Sequence, residues 1–139
     1  MKIKAKVKRL ILEFGENDPF KLAKALGVHV EFENLGKIYG YYINLNEVPI
    51  IKINENISHA KQFFTCCHEL SHYVLHPNVN TPFLTNYTLF CTDTIEREAH
   101  SFALELLYSN KKILSEDDLL NFGIPEQIAY SRQFISSIN

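Results

Sequence analysis

The sequence predicts an α+β fold: helices at both ends and a small, mostly antiparallel three-stranded sheet between them. Three observations carry this expectation. Apolar residues recur at helical spacing up to Gly27 and again after Ser58. Between these stretches lie three short runs rich in Val, Ile, Phe and Tyr, separated by Asn and Gly: Val28 to Phe32, Ile38 to Asn44 and Pro49 to Ile53. The chain has 139 residues, 46% apolar and 22% charged, which suits one domain over residues 1–139 with one core.

Taken in order, Ile3, Val7, Leu10, Ile11 and Phe14 form a helical stripe, although the lysines at alternating positions 2, 4, 6 and 8 also fit a strand. In "NDPFKLAKALG", Asp18 caps a helix, Pro19 suits its first turn and Gly27 stops it. The three strand-like runs follow, and Pro49 places its run at a sheet edge, where a missing N–H costs nothing. Ser58 opens a long helix to about Leu75, and His76-Pro77 ends it because proline disfavours the helical conformation just before it. A loop is expected from Pro77 to Asp93, then a strong helix near Thr94 to Tyr108. Two shorter helices follow, near Glu116 to Asn121 and Pro125 to Ser136.

A net charge of −2 argues against a chain whose main task is gripping nucleic-acid phosphates. Lys2, Lys4, Lys6, Lys8 and Arg9 form a basic run that reads best as a solvated helix face. "KLAKALGV" looks like the first helix and turn of a helix-turn-helix, but "HVEFENL" reads as a strand where the recognition helix should be. Cys66, Cys67 and Cys91 are an odd set with two neighbours, a poor disulfide framework, and are expected as reduced thiols. No apolar run approaches the roughly 20 residues of a membrane span, and Glu13 cuts short the Leu10 to Leu12 run of any signal peptide. The expectation is a cytoplasmic protein with no direct nucleic-acid or membrane partner.

The stretch "TCCHELSHYVLH", Thr65 to His76, carries the chemistry. His68 and His72 lie four apart, one above the other on a helix, close enough for two imidazoles to grip one zinc ion. Glu69 follows the first histidine and can take a proton from water beside the metal. The motif is short, so context matters. Ala60, Phe63, Phe64, Cys67, Ser71 and Val74 form the core stripe. The histidines fall on its flank, about 100° from its centre, and Glu69 falls nearly opposite the core. His76 lies about 12 Å along the axis from His68 and is expected to bind backbone near the helix end. A longer motif with a third histidine is absent, since Asn78 and Leu75 hold its positions.

A catalytic zinc needs a third protein ligand and an open position for water. "DTIEREAHSFALELL" offers two candidates on a helix whose core stripe is Ile95, Ala99, Phe102, Ala103 and Leu106. Glu96 lies about 60° from that stripe and Glu98 about 100° off on the other side. Glu96 is the better inward-facing carboxylate, yet Asp93-x-x-Glu96 also reads as a capping box.

"HELSHYVLH" followed by "EREAHSFALELL" resembles the ImmA/IrrE family of metallo-endopeptidases, small cytoplasmic zinc enzymes common on mobile elements. "DPFKLAKALGV", "GYY" and "IIKIN" are similar too, so the likeness runs over roughly residues 15 to 110. It implies a zincin-like fold, Zn2+ held by His68, His72 and Glu96, and Glu69 as the catalytic glutamate. It also implies a protein substrate, a helix-turn-helix repressor whose cleavage relieves repression of mobile-element or stress genes. The family usually has Asn or Asp where this chain has His100. His100 either hydrogen-bonds a ligand or coordinates the ion, and a fourth protein ligand would leave a non-catalytic zinc module that binds a partner. Oxyanion candidates are Tyr39, Tyr41, Tyr42, Tyr130 and Arg132, and the substrate is expected to lie along the Pro49–Ile53 edge.

Overall fold

The computed structural model describes residues 2–79, 83–84, 93–111 and 115–124. The expected helix over Pro125 to Ser136, most of the Pro77 to Asp93 loop, Cys91, Tyr130 and Arg132 lie outside the described residues. Element order is α1 (Ile3–Phe14), α2 (Pro19–Leu26), β1 (His29–Glu33), β2 (Gly40–Leu45), β3 (Val48–Asn54), α3 (His59–Leu75), α4 (Thr94–Ser109) and α5 (Glu116–Phe122). The N-terminal segment is therefore a helix, closed by Gly15 in the left-handed conformation.

Local chemistry fixes most boundaries. Asp18 caps α2 by accepting from the main-chain N–H groups of Phe20 and Lys21 at 2.9 and 3.2 Å. Ser58 caps α3 through Lys61 N–H at 3.2 Å, and α3 ends at Leu75 ahead of His76-Pro77. Asn46 and Glu47 both have positive φ, at 51° and 68°, so β2 and β3 are joined by a tight two-residue hairpin turn.

That hairpin decides the sheet. It sets β2 antiparallel to β3, and β1 joins β3 on its other side, running parallel to it. Strand order is β1-β3-β2, so the sheet is mixed rather than mostly antiparallel. The expectation that Pro49 to Ile53 forms an edge is corrected as well: β3 is the central strand, and the edges are β1 and β2. Pro49 is tolerated because it sits near the start of β3, opposite Asn44. After α2, the "HVEFENL" segment is β1 and the coil that follows it, not a second helix of a helix-turn-helix.

One face of the sheet carries the core. Ile51, Ile53, Tyr42 and Gly40 point towards α3, which packs on β2 and β3 and is covered elsewhere by α2, α4 and α5. Residues Phe64 to His72 of α3 are all buried, around the full circumference of the helix. The helical-wheel expectation is corrected at Glu69, which was placed nearly opposite the core and is fully buried. Cys66 is buried alongside Cys67. The reason is that β2, lying across the side the wheel left to solvent, gives α3 a second apolar neighbour. Cys66 and Cys67 are free thiols. Among the described residues no helix is long and apolar enough to cross a membrane.

Gly40 sets the depth of the helix on the sheet. A Cβ there would meet Lys52 O at 2.5 Å and Thr65 Cγ2 at 2.6 Å. Only hydrogen at this position lets β2 and α3 approach so closely. Gly40→Ala is expected to cost about 1–3 kcal/mol through that clash. A lowered urea midpoint at unchanged m-value would show it; an unchanged midpoint would mean the contact is not set by Gly40.

Candidate metal centre

His68 and His72 stand on successive turns of α3, and Glu96 stands in the first turn of α4, which packs across them. Their donor atoms converge. His68 Nε2 lies 3.0 Å from Glu96 Oε2, His72 Nε2 lies 3.2 Å from Glu96 Oε1, and the two Nε2 atoms are 3.3 Å apart. No side chain of the three is more than 2% exposed. Donors at the corners of a tetrahedron with bonds of about 2.0–2.1 Å would be roughly 3.3–3.4 Å apart. Two imidazole nitrogens and a carboxylate meeting at such distances away from water form an electron-rich pocket that a divalent cation fits. This is the one such grouping of three or more His, Cys, Asp or Glu donors among the described residues.

The open readings of the sequence now separate. Asp93 does cap α4, accepting from Ile95 N–H at 2.8 Å, but Glu96 does not return to complete a capping box. Its two oxygens go to the histidines instead. Glu98 faces away and approaches His76, with 3.6 Å between Oε1 and Nε2. His76 was expected to bind backbone; its side chain turns to Glu98 because α4 passes beside the end of α3. His100 is buried with its ring centroid 4.8 Å from that of His68, outside the three-donor grouping. Ser71 Oγ donates to the main-chain carbonyl of His68, tying down the turn that carries the first imidazole.

Glu69 is buried beside this cluster. Among the described residues neither carboxylate oxygen has a closed hydrogen bond; the donor facing it is the main-chain N–H of Tyr42 on β2. Burial, reinforced by the negative charge of Glu96, pushes the Glu69 carboxyl well above the usual range, and the Tyr42 N–H offsets only part of this. Glu96 goes the other way. Burial would raise it, but the contacts from His68 and His72 outweigh burial and hold it well below the usual carboxylate range. Burial lowers the His68 imidazole pKa, and Glu96 counters part of that drop. The shifts of Glu96 and His68 each favour the lone-pair form that a metal needs.

Among the described tyrosines considered for an oxyanion, Tyr42 approaches Glu69 through its main chain, while its ring packs on Tyr73 at 6.2 Å. Tyr41 lies on the far face of the sheet against Phe83, and Tyr39 lies under Lys61. Sequence reasoning missed Gly40, whose close approach brings β2 up to Glu69. A glycine at the head of a strand-like run is the signal that could have found it.

Residues 23–120 match the peptidase family described as the IrrE N-terminal-like domain. The chain belongs to the ImmA/IrrE family of metallopeptidases. It is 38% identical over 137 residues to an uncharacterized immunity region protein 2 of Bacillus phage phi105, covering 92% of this chain and 87% of that protein. It is 30% identical over 137 residues to the metallopeptidase ImmA of Bacillus subtilis strain 168, covering 97% of this chain and 76% of that protein. The metallopeptidase assignment and the three-donor pocket agree that this ImmA/IrrE chain holds a metal ion.

Burial of Glu69 has a measurable consequence for the metal-free metallopeptidase. The unfolded carboxyl titrates near about 4.3. Because the folded pKa is raised, the cost of Glu69 is absent below that value, grows as pH rises through it, and is full once pH passes the folded pKa. Glu69→Gln removes the charge. In chelator-treated protein it should raise Tm at pH 7 by roughly 4 °C or more, about 1 kcal/mol, with the gain shrinking towards pH 4. A gain that grows on acidification would contradict this account of the carboxyl.

Proposed function

We propose that the protein is a zinc-dependent endopeptidase in which His68, His72 and Glu96 hold the ion and Glu69 is the general base. The observation that carries this reading is the convergence of three buried donors within 3.3 Å of one another, beside a second carboxyl, Glu69, whose oxygens lack closed hydrogen bonds among the described residues. Two imidazoles and one carboxylate are the donor set of a zinc site that leaves one position for water. A bound zinc ion supplies Lewis acidity, easing ionisation of water and polarising a scissile carbonyl.

The chain's own groups do the rest. Glu69, with its proton affinity raised by burial, takes the proton of the attacking water as oxygen bonds to the carbonyl carbon. When the C–N bond breaks, Glu69 returns that proton to the leaving amine. His68 and His72, fixed on one helix, and Glu96, fixed on another, hold the site's geometry through the α3–α4 contact. His100, packed on His68, positions that imidazole from behind. The substrate is received in extended form along the edge of β2, where the main chain of Tyr42 faces Glu69.

The substrate we propose is a DNA-binding transcriptional repressor of a mobile element, of helix-turn-helix type. Two relatives support this: one carries the name of a phage immunity region, the other that of a metallopeptidase ImmA. The protein acts in the cytoplasm and needs no direct contact with DNA.

The test uses the purified protein and the repressor encoded beside its gene. Wild type should carry about one zinc per chain by elemental analysis and cut the repressor once or at few places. Glu69→Gln should keep the zinc and lose at least about 100-fold in cleavage rate. His72→Ala and Glu96→Ala should lose the zinc. Zinc retained in wild type with no cleavage of the repressor would instead indicate a non-catalytic zinc module.

A further inference from the structure

We propose that His76 and Glu98 form an outer, weaker divalent-cation site through which the metal ion reaches the buried pocket. The inference rests on the metal-holding part of the reading above, not on peptide cleavage. No side chain among His68, His72 and Glu96 is more than 2% exposed, so an ion has to be passed inward to reach them. The donor side chains that border the pocket differ in burial. Glu69, facing β2, and His100, packed on His68, are buried with it. His76 and Glu98, by contrast, have side chains 11% and 41% exposed.

These two lie in line with the pocket. His68, His72 and His76 follow at four-residue intervals, and their rings step along α3 with centroids 5.0 and then 5.7 Å apart. His76 ends the helix but stays in the row, because its N–H still donates to His72 O at 2.9 Å. On α4, Glu98 stands two residues beyond Glu96 and faces His76 as Glu96 faces His68 and His72. Imidazole and carboxylate therefore meet twice along the α3–α4 contact, once away from water and once, about one helical turn on, at a partly exposed place.

The outer meeting is loose. His76 Nε2 and Glu98 Oε1 are 3.6 Å apart, too far for a hydrogen bond and close to the roughly 3.3–3.4 Å that separates two donors on one zinc ion. His76 Nδ1 is buried and has no hydrogen bond among the described residues, so no second partner fixes the ring. Among the described residues no Lys or Arg pairs with Glu98, and the neighbouring Arg97 turns to Thr94 Oγ1 at 3.2 Å. Two protein donors, with water completing the shell, hold an ion less firmly than three. Transit requires that balance: binding strong enough to enter and weak enough to leave. The charge of Glu98 also raises the local concentration of cations. A shift of roughly 6 Å, the rise of four helical residues, then carries the ion to the pocket.

The probe is Co2+, whose visible absorption reports arrival in the pocket independently of cleavage. Chelator-treated protein is mixed with Co2+ by stopped flow, and release is followed after adding excess chelator. His76→Ala and Glu98→Gln should each slow uptake at least about tenfold and still reach the wild-type final spectrum. A station on the route lowers the barrier in both directions, so release should slow by the same factor at unchanged affinity. The double variant should be about as slow as either single one, because the two residues act as one unit. Unchanged uptake in both single variants would overturn the loading site. Slower uptake with faster release would overturn it too, since that marks a damaged pocket. If His76→Ala fails to fold, Glu98→Gln, at an exposed position, decides alone. Slowed loading in the variants, with no repressor cleavage by wild type, would uphold the route and count against the peptidase reading. Unaltered loading in an active peptidase would do the reverse.

Discussion

Glu96 reaches from the first turn of α4 into α3 at the place where two imidazoles on successive turns face the same way. Everything near the centre of the molecule is arranged around that meeting. Lone pairs of three buried groups point at one volume, which is unfavourable unless a cation or a shared proton lies among them. The crossing of α3 and α4 is apolar on either side of this point, through Phe64, Leu70, Phe102 and Ala103, so packing alone would hold the helices together. The polar meeting fixes their register: sliding α4 by one turn, about 5.4 Å, would keep an apolar contact and lose the donors.

The same helix is pressed from its other side by the sheet. Gly40 admits Thr65 close to β2, and that closeness carries Glu69 to the main chain of Tyr42. Asn54, at the end of β3, then binds the loop carbonyls of Gly36 and Ile38 at 2.9 Å each, and its own carbonyl accepts from Gln62 on α3 at 3.1 Å. Strand end, loop and helix are thus one hydrogen-bonded unit. The edge of β2 and the metal pocket therefore stand at a fixed separation, which a site that must align a peptide bond with a base requires.

What was legible in the sequence was local. Caps, breakers and periodicity placed seven of the eight elements within a few residues, because Asp18, Ser58, Gly27 and the pair His76-Pro77 act on their own neighbours. Spacing alone put His68 and His72 side by side. What was not legible depended on contacts far apart along the chain. The parallel pairing of β1 with β3 is one such case, since nothing in either run states which edge of β3 is free once the Asn46-Glu47 turn has claimed the other. The side of Glu69 is another. A helical wheel assumes one buried face, but α3 lies between a sheet and other helices, so a position opposite the core stripe was still inside. The choice between ligand and capping box for Glu96 likewise needed the structure. Both uses start from the same position in α4, and only the approach of α3 decides between them.

The two buried carboxyls show how one pocket holds opposite tendencies. Glu96 and Glu69 are both out of water, and burial raises the proton affinity of each. They part because Glu96 has two imidazoles against it and Glu69 has one loosely placed main-chain N–H and a neighbouring negative charge. One carboxyl is held ionised and the other is made eager for a proton. Environments that push two titratable groups apart in this way are how a site divides its labour. A ligand must keep its charge through the cycle; a base must accept a proton from water and let it go. Exchanging the surroundings of Glu69 and Glu96 would leave the same residues in the same pocket and neither role filled.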